Sequence, residues 1–324
     1  MSMNDETNFT QIILESATRI FTDCCDKDTL EKAETGEFPE ALWAVILENG
    51  FCDLGTEESG TSREDAFAFL TVCGKYALPL PIAEILLARQ LAPELEGLTS
   101  IGIIQNDVIK DVPWGRRAEN VIGLDLDVNK AIIIQNPEVI KQSTNIAGEP
   151  RDTVAIIADA RWIELDSDPV LELAFARSCL LTGALESILE MGIQYSNERS
   201  QFGRTLSKFQ VLQHKLAHAA TEVCASRLAT DTAIALLSTQ HAQMELTTAI
   251  ARTKESVEIV TDHVHQIHGA MGFTHEHILH HFTRRTWAWR DEFGNEFEWQ
   301  AKLGETFAGA TPELIWDTIT GNQC

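Results

Sequence analysis

The chain has 324 residues, of which 44% are hydrophobic and 23% are charged. These values are ordinary for a globular protein, so they exclude a disordered or fibrous chain, and the length is sufficient for a large buried core. Lysine and arginine number 25 against 49 aspartates and glutamates, a formal net charge of −24. A chain this acidic is not expected to bind the phosphate backbone of nucleic acids, and any anionic ligand must meet a local basic patch.

The N-terminal segment and the cysteines predict a cytoplasmic protein. Residues 1–7 include Asp5 and Glu6, where a secretory signal would carry basic residues, and no window approaches ~20 uninterrupted apolar residues. Secretion and membrane insertion are therefore not expected. The seven cysteines, which include Cys324, contain no Cys-x-x-Cys pair and are interpreted as reduced thiols. The adjacent pair at residues 24–25 is interpreted as packing residues rather than as a redox device.

The first part of the chain has helical periodicity. From Phe9 onward, apolar residues such as Ile13 and Ile20 recur with the 3.6-residue period of a helix that is buried on one side. After a proline-containing break, a further helix is predicted over residues 82–92. We therefore expect a helical N-terminal domain over residues 1–98.

The middle of the chain contains short β-favouring runs separated by Pro, Asn, Asp and Gly. They predict a small antiparallel β domain over residues 99–168. Several of the runs are apolar throughout, which is also typical of a more buried sheet. The runs cover residues 101–104, 121–124, 131–134 and 154–157.

The last part of the chain, residues 169–324, is predicted to be a helical domain. Neither glycine nor proline occurs in the 65 residues between Gly203 and Gly269. A single helix of that length would rise nearly 100 Å, at about 1.5 Å per residue. Two long antiparallel helices are therefore expected, with a turn near residues 238–241.

Seven of the ten histidines lie between His263 and His281. His277 and His281 are four residues apart, a spacing at which two imidazoles on one helix face can bind zinc. The sequence lacks the His-Glu-x-x-His form of metalloproteases, however, and no cysteine lies nearby. No metal site is therefore predicted, and the histidines are interpreted as hydrogen-bonded in helix packing or at a subunit interface.

Two polar segments lie at the ends of predicted helices. One contains Arg199 before a Phe-Gly pair, and the other, residues 266–273, contains a Gly-x-x-Gly. Glycines at a helix end let the backbone approach a phosphate closely, and an arginine beside such a turn supplies positive charge. The alternative is that both segments are only helix-to-helix corners.

These segments also carry a family resemblance. The run Tyr195-x-x-Glu-Arg-x-x-Phe-Gly-Arg-x-Leu-x-x-Phe-Gln-x-x-Gln-His and the later Gln266-Ile-His-Gly-x-x-Gly-Phe resemble the C-terminal domain of acyl-CoA dehydrogenases. Residues 42–51 and 74–84 are similar to N-terminal helices of that family. The resemblance implies a mainly α fold with an N-terminal helical domain, a small middle β domain and a C-terminal four-helix bundle.

The resemblance also implies FAD, bound at a subunit interface. Arginine, phenylalanine and glutamine of the first motif contact one end of the dinucleotide, and the second motif meets the FAD of a neighbouring subunit. Ala270 belongs to the second motif but replaces its usual second glycine, which weakens the match of the phosphate contact there. The other FAD contacts implied for this chain are Arg199, Phe202, Gln210, Gln266, Ile267, His268 and Gly269.

The family's reaction removes a proton from the carbon beside an acyl-CoA thioester while hydride passes from the next carbon to the flavin. When the Gln266 segment is aligned without gaps, Phe293 stands where most members carry the catalytic glutamate. Glu292 and Asp291 lie beside it, and Glu172 lies near a second position that some members use. These three carboxylates are the candidate bases in this chain. The alternative is a base supplied by a partner subunit.

The middle segment is short, and Trp162-Ile163-Glu164 is a poor counterpart of the Trp-Ile-Thr strand that lines the flavin in longer members. The chain is thereby similar to the smaller subunits of heterotetrameric acyl-CoA dehydrogenases of bacterial steroid side-chain breakdown. The resemblance implies FAD-dependent α,β-desaturation of an acyl-CoA by a heteromer, with electron-transfer flavoprotein as acceptor. The alternatives are a non-catalytic subunit that completes FAD and interface surfaces, and a flavoprotein oxidase or monooxygenase on the same fold.

Overall fold

The structure is a computed structural model that describes residues 3–157, 160–312 and 315–317. Met1, Ser2 and Cys324, which entered the sequence interpretation, lie outside these residues. Over the described ranges, helices come first, a seven-stranded sheet follows, and further helices complete the chain. Within those ranges, no helix has both the length and the apolar character needed to cross a membrane.

The N-terminal region is helical, as its periodicity predicts. Its second helix begins after Asp26, whose carboxylate accepts a hydrogen bond from the backbone N–H of Thr29 at 2.9 Å. The fourth helix begins with a capping box formed by Ser62 and Asp65. Such caps satisfy amide groups that have no partner inside the helix. The helices of this region are α1 (Met3–Cys24), α2 (Lys27–Glu34), α3 (Glu40–Glu48), α4 (Arg63–Lys75) and α5 (Ile82–Leu91).

The cysteine pair lies where α1 ends. Cys24 is half-buried and Cys25 is buried. Burial raises the pKa of the Cys25 thiol to about 12. A thiol with so high a pKa is almost never a thiolate near neutrality, which agrees with a packing role.

The middle region forms one sheet with the strand order β5-β6-β2-β1-β3-β4-β7. The expectation of a wholly antiparallel sheet was wrong, because β1 and β3 are parallel, with Thr99 opposite Asn120. A tight turn at Asn106 and Asp107, both with positive φ, sends β2 back beside β1. The chain therefore returns to the starting end of β1 and pairs β3 with its other edge. The strands are β1 (Thr99–Gln105), β2 (Val108–Pro113), β3 (Asn120–Asp125), β4 (Lys130–Gln135), β5 (Val139–Lys141), β6 (Arg151–Ala155) and β7 (Arg161–Glu164).

The change from helix to strand falls at Thr99, and the helices resume at Pro169. Both points agree with the expected limits of the middle region, although the division into three domains stays a prediction. One face of the sheet packs on α5 and on the next helix through Ile101, Ile122 and Leu173, which share an apolar cluster. The sheet is therefore fixed against the helices that surround the candidate site.

The predicted pair of long helices in the C-terminal region is confirmed. The first of them ends before residue 236 and the second begins after residue 241. A short hairpin precedes them. Asp168 accepts hydrogen bonds from two backbone amides at the start of the region, and Pro169 occupies the first turn, where a missing N–H costs nothing. The elements are α6 (Pro169–Glu198), β8 (Ser200–Gln201), β9 (Arg204–Thr205), α7 (Gln210–Ala235), α8 (Ala242–His268), α9 (Leu279–Asp291) and α10 (Glu296–Phe307).

The N-terminal and C-terminal helices meet where α4 crosses α6 with their backbones in contact. A methyl group on Gly183 would overlap the backbone oxygen of Thr71, and one on Gly74 would overlap the backbone oxygen of Leu180. Only glycine therefore permits this close approach. The crossing determines how α6, which carries part of the candidate site, sits on the N-terminal helices.

We expect Gly183→Ala to lower the free energy of unfolding by about 1–3 kcal/mol, because the helices must separate to admit the methyl group. Gly304→Ala is the matched control, since Gly304 lies in α10 with no atom within 4 Å of the added methyl. That control should be neutral or stabilising by up to ~1 kcal/mol. Urea unfolding followed by far-UV circular dichroism measures both, and equal midpoints for the two variants would contradict the prediction.

Candidate active site and cofactor surface

A cavity of about 890 Å³ lies between the sheet and the C-terminal helices. Residues from β1, β2, the segment before β6, the first turns of α6 and the junction of α9 with α10 line it. Its volume and its apolar walls with a few charged groups are typical of a small-molecule site. The apolar side chains of the wall include Ile103, Leu126, Val170, Trp287, Phe293 and Trp299.

The floor of the cavity is a carboxylate held by two arginines. Glu292 accepts a hydrogen bond from Nε of Arg151 at 2.9 Å and one from Nε of Arg177 at 2.5 Å. Arg151 comes from β6 and Arg177 from α6, whereas Glu292 follows the last residue of α9. Arg177 also pairs with Glu84 of α5, and both of these side chains are buried. The floor therefore ties α5, α6, α9 and the sheet together.

These contacts decide the basicity of Glu292. Burial raises its pKa, but the charges of Arg151 and Arg177 outweigh burial and lower the pKa to about 2. A general base works best when its pKa lies near the operating pH. Glu292 is therefore an anion throughout the neutral range and a weak proton acceptor.

The ion pairs continue away from the cavity toward the N-terminal helices. Arg151 also pairs with Glu149 at 3.2 Å, and Glu149 lies 3.4 Å from Arg285 of α9. Arg285 in turn donates to Glu34, the last residue of α2, at 2.7 Å. We call this set the buried ion network; its members are Glu34, Glu84, Glu149, Arg151, Arg177, Arg285 and Glu292.

The other candidate bases lie in different surroundings. Asp291 is exposed at the cavity, and its carboxylate accepts a hydrogen bond from Nε of Arg290 at 3.2 Å. Glu172 pairs with Arg63 of α4 at 2.9 Å and faces a small pocket among α4, α5 and α6 instead of the cavity. The structure therefore brings Asp291 and Glu292 to the cavity but not Glu172.

Phe293 occupies the cavity wall at the position where the resemblance led us to expect a carboxylate. Its φ is +56°, in the left-handed region that bulky residues rarely adopt. Its ring centre lies 5.3 Å from the Arg177 guanidinium. The side chain at this position is therefore packed against the floor and offers no proton acceptor.

The two histidines with metal-ligand spacing separate in the structure. His277 precedes α9 and packs its ring against His268, with centroids 4.7 Å apart. His281 lies on α9, and its Nδ1 is 2.7 Å from a carboxylate oxygen of Glu34. Among the described residues no group of three or more side chains is placed to hold a metal ion. The helix face shared by the two histidines does not form.

The first sequence motif forms an exposed hairpin between α6 and α7. Arg199 is exposed and makes no ion pair with any residue that the structure describes. The tip of the hairpin is Phe202-Gly203, both with positive φ, and the Phe202 side chain is 90% exposed. Gln210 is exposed at the start of α7. All three predicted contacts of this motif therefore point into solvent.

The second motif forms the corner after α8. Gly269 has φ +58° and ψ −140°, a conformation close to a region that essentially only glycine occupies. No atom lies within 4 Å of where its Cβ would be, so the backbone is open to a ligand. Ala270 is exposed beside it, and the Gln266 amide donates to Asp262 at 2.7 Å.

Two predicted contacts in this corner are buried in the single chain, Ile267 at 4% exposure and His268 at 3%. The side chain of neither can reach a ligand on the surface. His268 instead stacks on Tyr195 of α6 with ring centroids 4.3 Å apart. This contact joins the second motif to the helix that leads into the first. The two motifs therefore belong to one end of the helical bundle.

The exposed residues of the two motifs fit FAD as far as this chain extends. An unpaired guanidinium and open glycine backbone suit a phosphate group, and an exposed aromatic side chain suits a planar ring. The charges of the cavity floor, in contrast, are already compensated by one another. The exposed residues of the two motifs therefore suit a phosphate and a planar ring better than the cavity floor does.

The sequence interpretation missed Arg151 and Arg177. A signal for Arg177 exists, because it is the one charged residue of the otherwise apolar or small run at residues 173–185. A charge in such a helix is rarely buried without a partner. No comparable signal marks Arg151 in its polar surroundings.

Comparisons with known proteins agree with this geometry. Residues 172–295 match the family model of the acyl-CoA dehydrogenase C-terminal domain. The chain is 26% identical over 274 residues to the acyl-CoA dehydrogenase IpdE2 of Mycolicibacterium smegmatis, covering 78% of this chain and 83% of that protein. The match to IpdE2 of Mycobacterium tuberculosis is 23% identical over 269 residues, 76% of this chain and 80% of that protein.

Solved structures show the same fold. The ChsE4-ChsE5 complex from Mycobacterium tuberculosis contains a chain that matches with a TM-score of 0.81 and 15% identity, covering 93% of this chain and 98% of that one. A steroid acyl-CoA dehydrogenase variant, Tcur3481-Tcur3483, matches with a TM-score of 0.80 and 19% identity, covering 94% and 98%. Residues 172–295 therefore belong to the family of acyl-CoA dehydrogenase C-terminal domains, and the chain as a whole is similar to acyl-CoA dehydrogenases in sequence and in fold.

Proposed function

We propose that this chain is one subunit of a heteromeric, FAD-dependent acyl-CoA dehydrogenase, and that a partner subunit supplies the catalytic base. The observation that carries the proposal is the environment of residues 291–293. Phe293 holds no proton acceptor, and the Glu292 carboxylate is paired with two arginines. Asp291 is exposed to solvent, which leaves it without the water-excluded environment that raises the basicity of a carboxylate.

In this proposal the chain's own task is to complete FAD sites at the interface. Arg199 binds a phosphate, Phe202 and Gln210 contact the same end of the dinucleotide, and the backbone at Gly269 approaches the FAD of a neighbouring subunit closely. Bound FAD would accept the hydride that leaves the acyl chain. The buried ion network keeps the cavity floor rigid.

The relatives support the heteromer and the substrate class. The relatives that are similar in sequence are named acyl-CoA dehydrogenases. One matching structure is a complex of two different subunits, and another is described as a steroid enzyme. We propose an acyl-CoA thioester as substrate and electron-transfer flavoprotein as electron acceptor. A further structure with the same fold is described as an electron transferring flavoprotein of Acidaminococcus fermentans.

Co-expression tests the heteromer directly. The chain expressed alone should bind little flavin and show no turnover, whereas the chain co-purified with the product of its genomic neighbour should be yellow and reduce an acceptor when acyl-CoA is added. Flavin absorbance and acceptor reduction measure the two properties. Full flavin content and turnover by the chain alone would overturn the proposal, and rapid oxygen consumption without an acceptor would favour an oxidase.

Replacing Arg199 tests the cofactor surface. Arg199→Ala should weaken FAD binding by the purified complex about tenfold or more, because a charge-assisted hydrogen bond contributes about 1.5–3 kcal/mol. Arg204→Ala is the matched control, since Arg204 belongs to the same hairpin but its guanidinium lies 4.1 Å from the centre of the Phe209 ring. Flavin content after gel filtration measures both. Equal FAD occupancy in the two variants would contradict the assignment.

Replacing the carboxylates tests the location of the base. Asp291→Asn and Glu172→Gln should leave the turnover of the complex within a few-fold of the wild-type value, because neither carboxylate takes the proton. Glu292→Gln should lower stability by about 3–5 kcal/mol, since it removes a partner from two buried arginines. The turnover of the Glu292→Gln complex per folded molecule, measured well below its unfolding temperature, should stay similar to that of the wild-type complex.

A loss of roughly 10²-fold or more in any of these three variants would place the base in this chain, because that is the scale of general-base catalysis. FAD content and partner binding must be unchanged in that variant. Substitution of the partner's carboxylate at the position equivalent to Phe293 is the positive control and should cause the loss of this size.

A further inference from the structure

A lysine of α8 donates all of its hydrogen bonds to the turn between α9 and α10. Lys254 is fully buried. Its Nζ donates to the backbone oxygens of Arg290 at 2.6 Å, Glu292 at 2.9 Å and Gly294 at 2.6 Å. An ammonium group has three N–H donors, so each of them has an acceptor. A buried charge is tolerated only with such complete pairing.

The electrostatics of the turn explain why a cation lies there. α9 ends at Asp291, and the last backbone oxygens of a helix have no partner inside it and carry a partial negative charge. Lys254 supplies the missing donors. The charged groups that face it are Arg177 from α6, Asp291 from α9, Glu292 from the turn and Glu298 from α10.

The same turn is held from the other side by α10. The indole N–H of Trp299 donates to the backbone oxygen of Phe293 at 3.0 Å. The backbone oxygens of residues 292, 293 and 294 are thus all bound by side chains from two helices. Phe293 keeps its unusual positive φ under these restraints. The restrained turn directs the Glu292 carboxylate to the cavity floor and the Phe293 ring to the cavity wall.

We infer that Lys254 is a positioning residue, whose buried ammonium group fixes the turn of residues 290–294 and thereby the wall of the cavity. It touches none of the atoms that react in the proposed function. Its effect passes through Phe293, which stands at the position of the family's usual base, and through Glu292 beside it. The contacts that support this inference are independent of the cofactor and of the partner subunit.

The inference has a pH signature. Burial lowers the pKa of Lys254 to about 7, against the opposing attraction of Glu292 and Asp291. A neutral amine has only two N–H donors, so loss of the proton leaves one of the three backbone oxygens without its hydrogen bond. The turn should therefore loosen as the pH rises through about 7.

Amide hydrogen exchange of the full chain tests the inference without using activity. In Lys254→Met the amides of residues 289–295 should exchange about tenfold faster or more, because the turn loses three bonds to its backbone oxygens and opens more often. Lys254→Arg keeps a cation with several donors and should restore most of the protection. Arg252→Met is the matched control, since it removes a cation from the same helix that pairs with Glu222 instead.

The wild-type protein supplies a second test that requires no variant. Its protection factors at residues 289–295, corrected for intrinsic exchange, should fall as the pH rises through about 7. Protection elsewhere in α9 and α10 should not follow this change. Unchanged protection of the turn in Lys254→Met, or an equal loss in Arg252→Met, would overturn the inference. If the methionine variant does not fold, a wild-type turn whose protection is independent of pH would overturn it.

Discussion

Glu292 accepts hydrogen bonds from two arginines that reach it from different parts of the chain, one from the sheet and one from α6. Desolvation of three charged groups is expensive, and only their mutual pairing and further partners compensate it. The further partners are Glu84 on α5 and Glu149 before β6. One carboxylate thus links α6, the sheet and the end of α9 at the floor of the cavity.

The same pairing separates two roles that a carboxylate at this place can have. An unpaired glutamate in a dry cavity has a raised pKa and can accept a proton, whereas a glutamate between two guanidinium groups is a fixed anion. The chain has the second arrangement, and Phe293 removes the alternative acceptor beside it. Under the proposed function, Glu292 therefore holds the cavity floor together and does not transfer a proton, and the base comes from a second subunit.

The periodicity of α7 and α8 and the breaks around residues 99 and 169 could be predicted because they depend on local composition. The parallel pairing of β1 with β3 could not, because it depends on which edge of β1 the chain selects after β2. Among site residues, Arg199 and Phe202 lie exposed on the hairpin, and their contact with FAD stays a prediction from the motif. The burial of Ile267 and His268 and the partners of Glu292 arise from contacts across the fold, which no spacing in the sequence encodes.

The distances along the chain between network partners have a consequence for biosynthesis. Glu34 and Arg285 are 251 residues apart, and Arg151 and Glu292 are 141 apart. At roughly 5–20 residues per second of translation, Glu34 waits on the order of ten seconds or more for its partner to be made. A nascent chain that stops before α9 can already form the Glu84–Arg177 pair between α5 and α6. It still lacks Arg285 and Glu292, so the links from α2 and from the sheet to the C-terminal helices form only after α9 and the residue that follows it have been made.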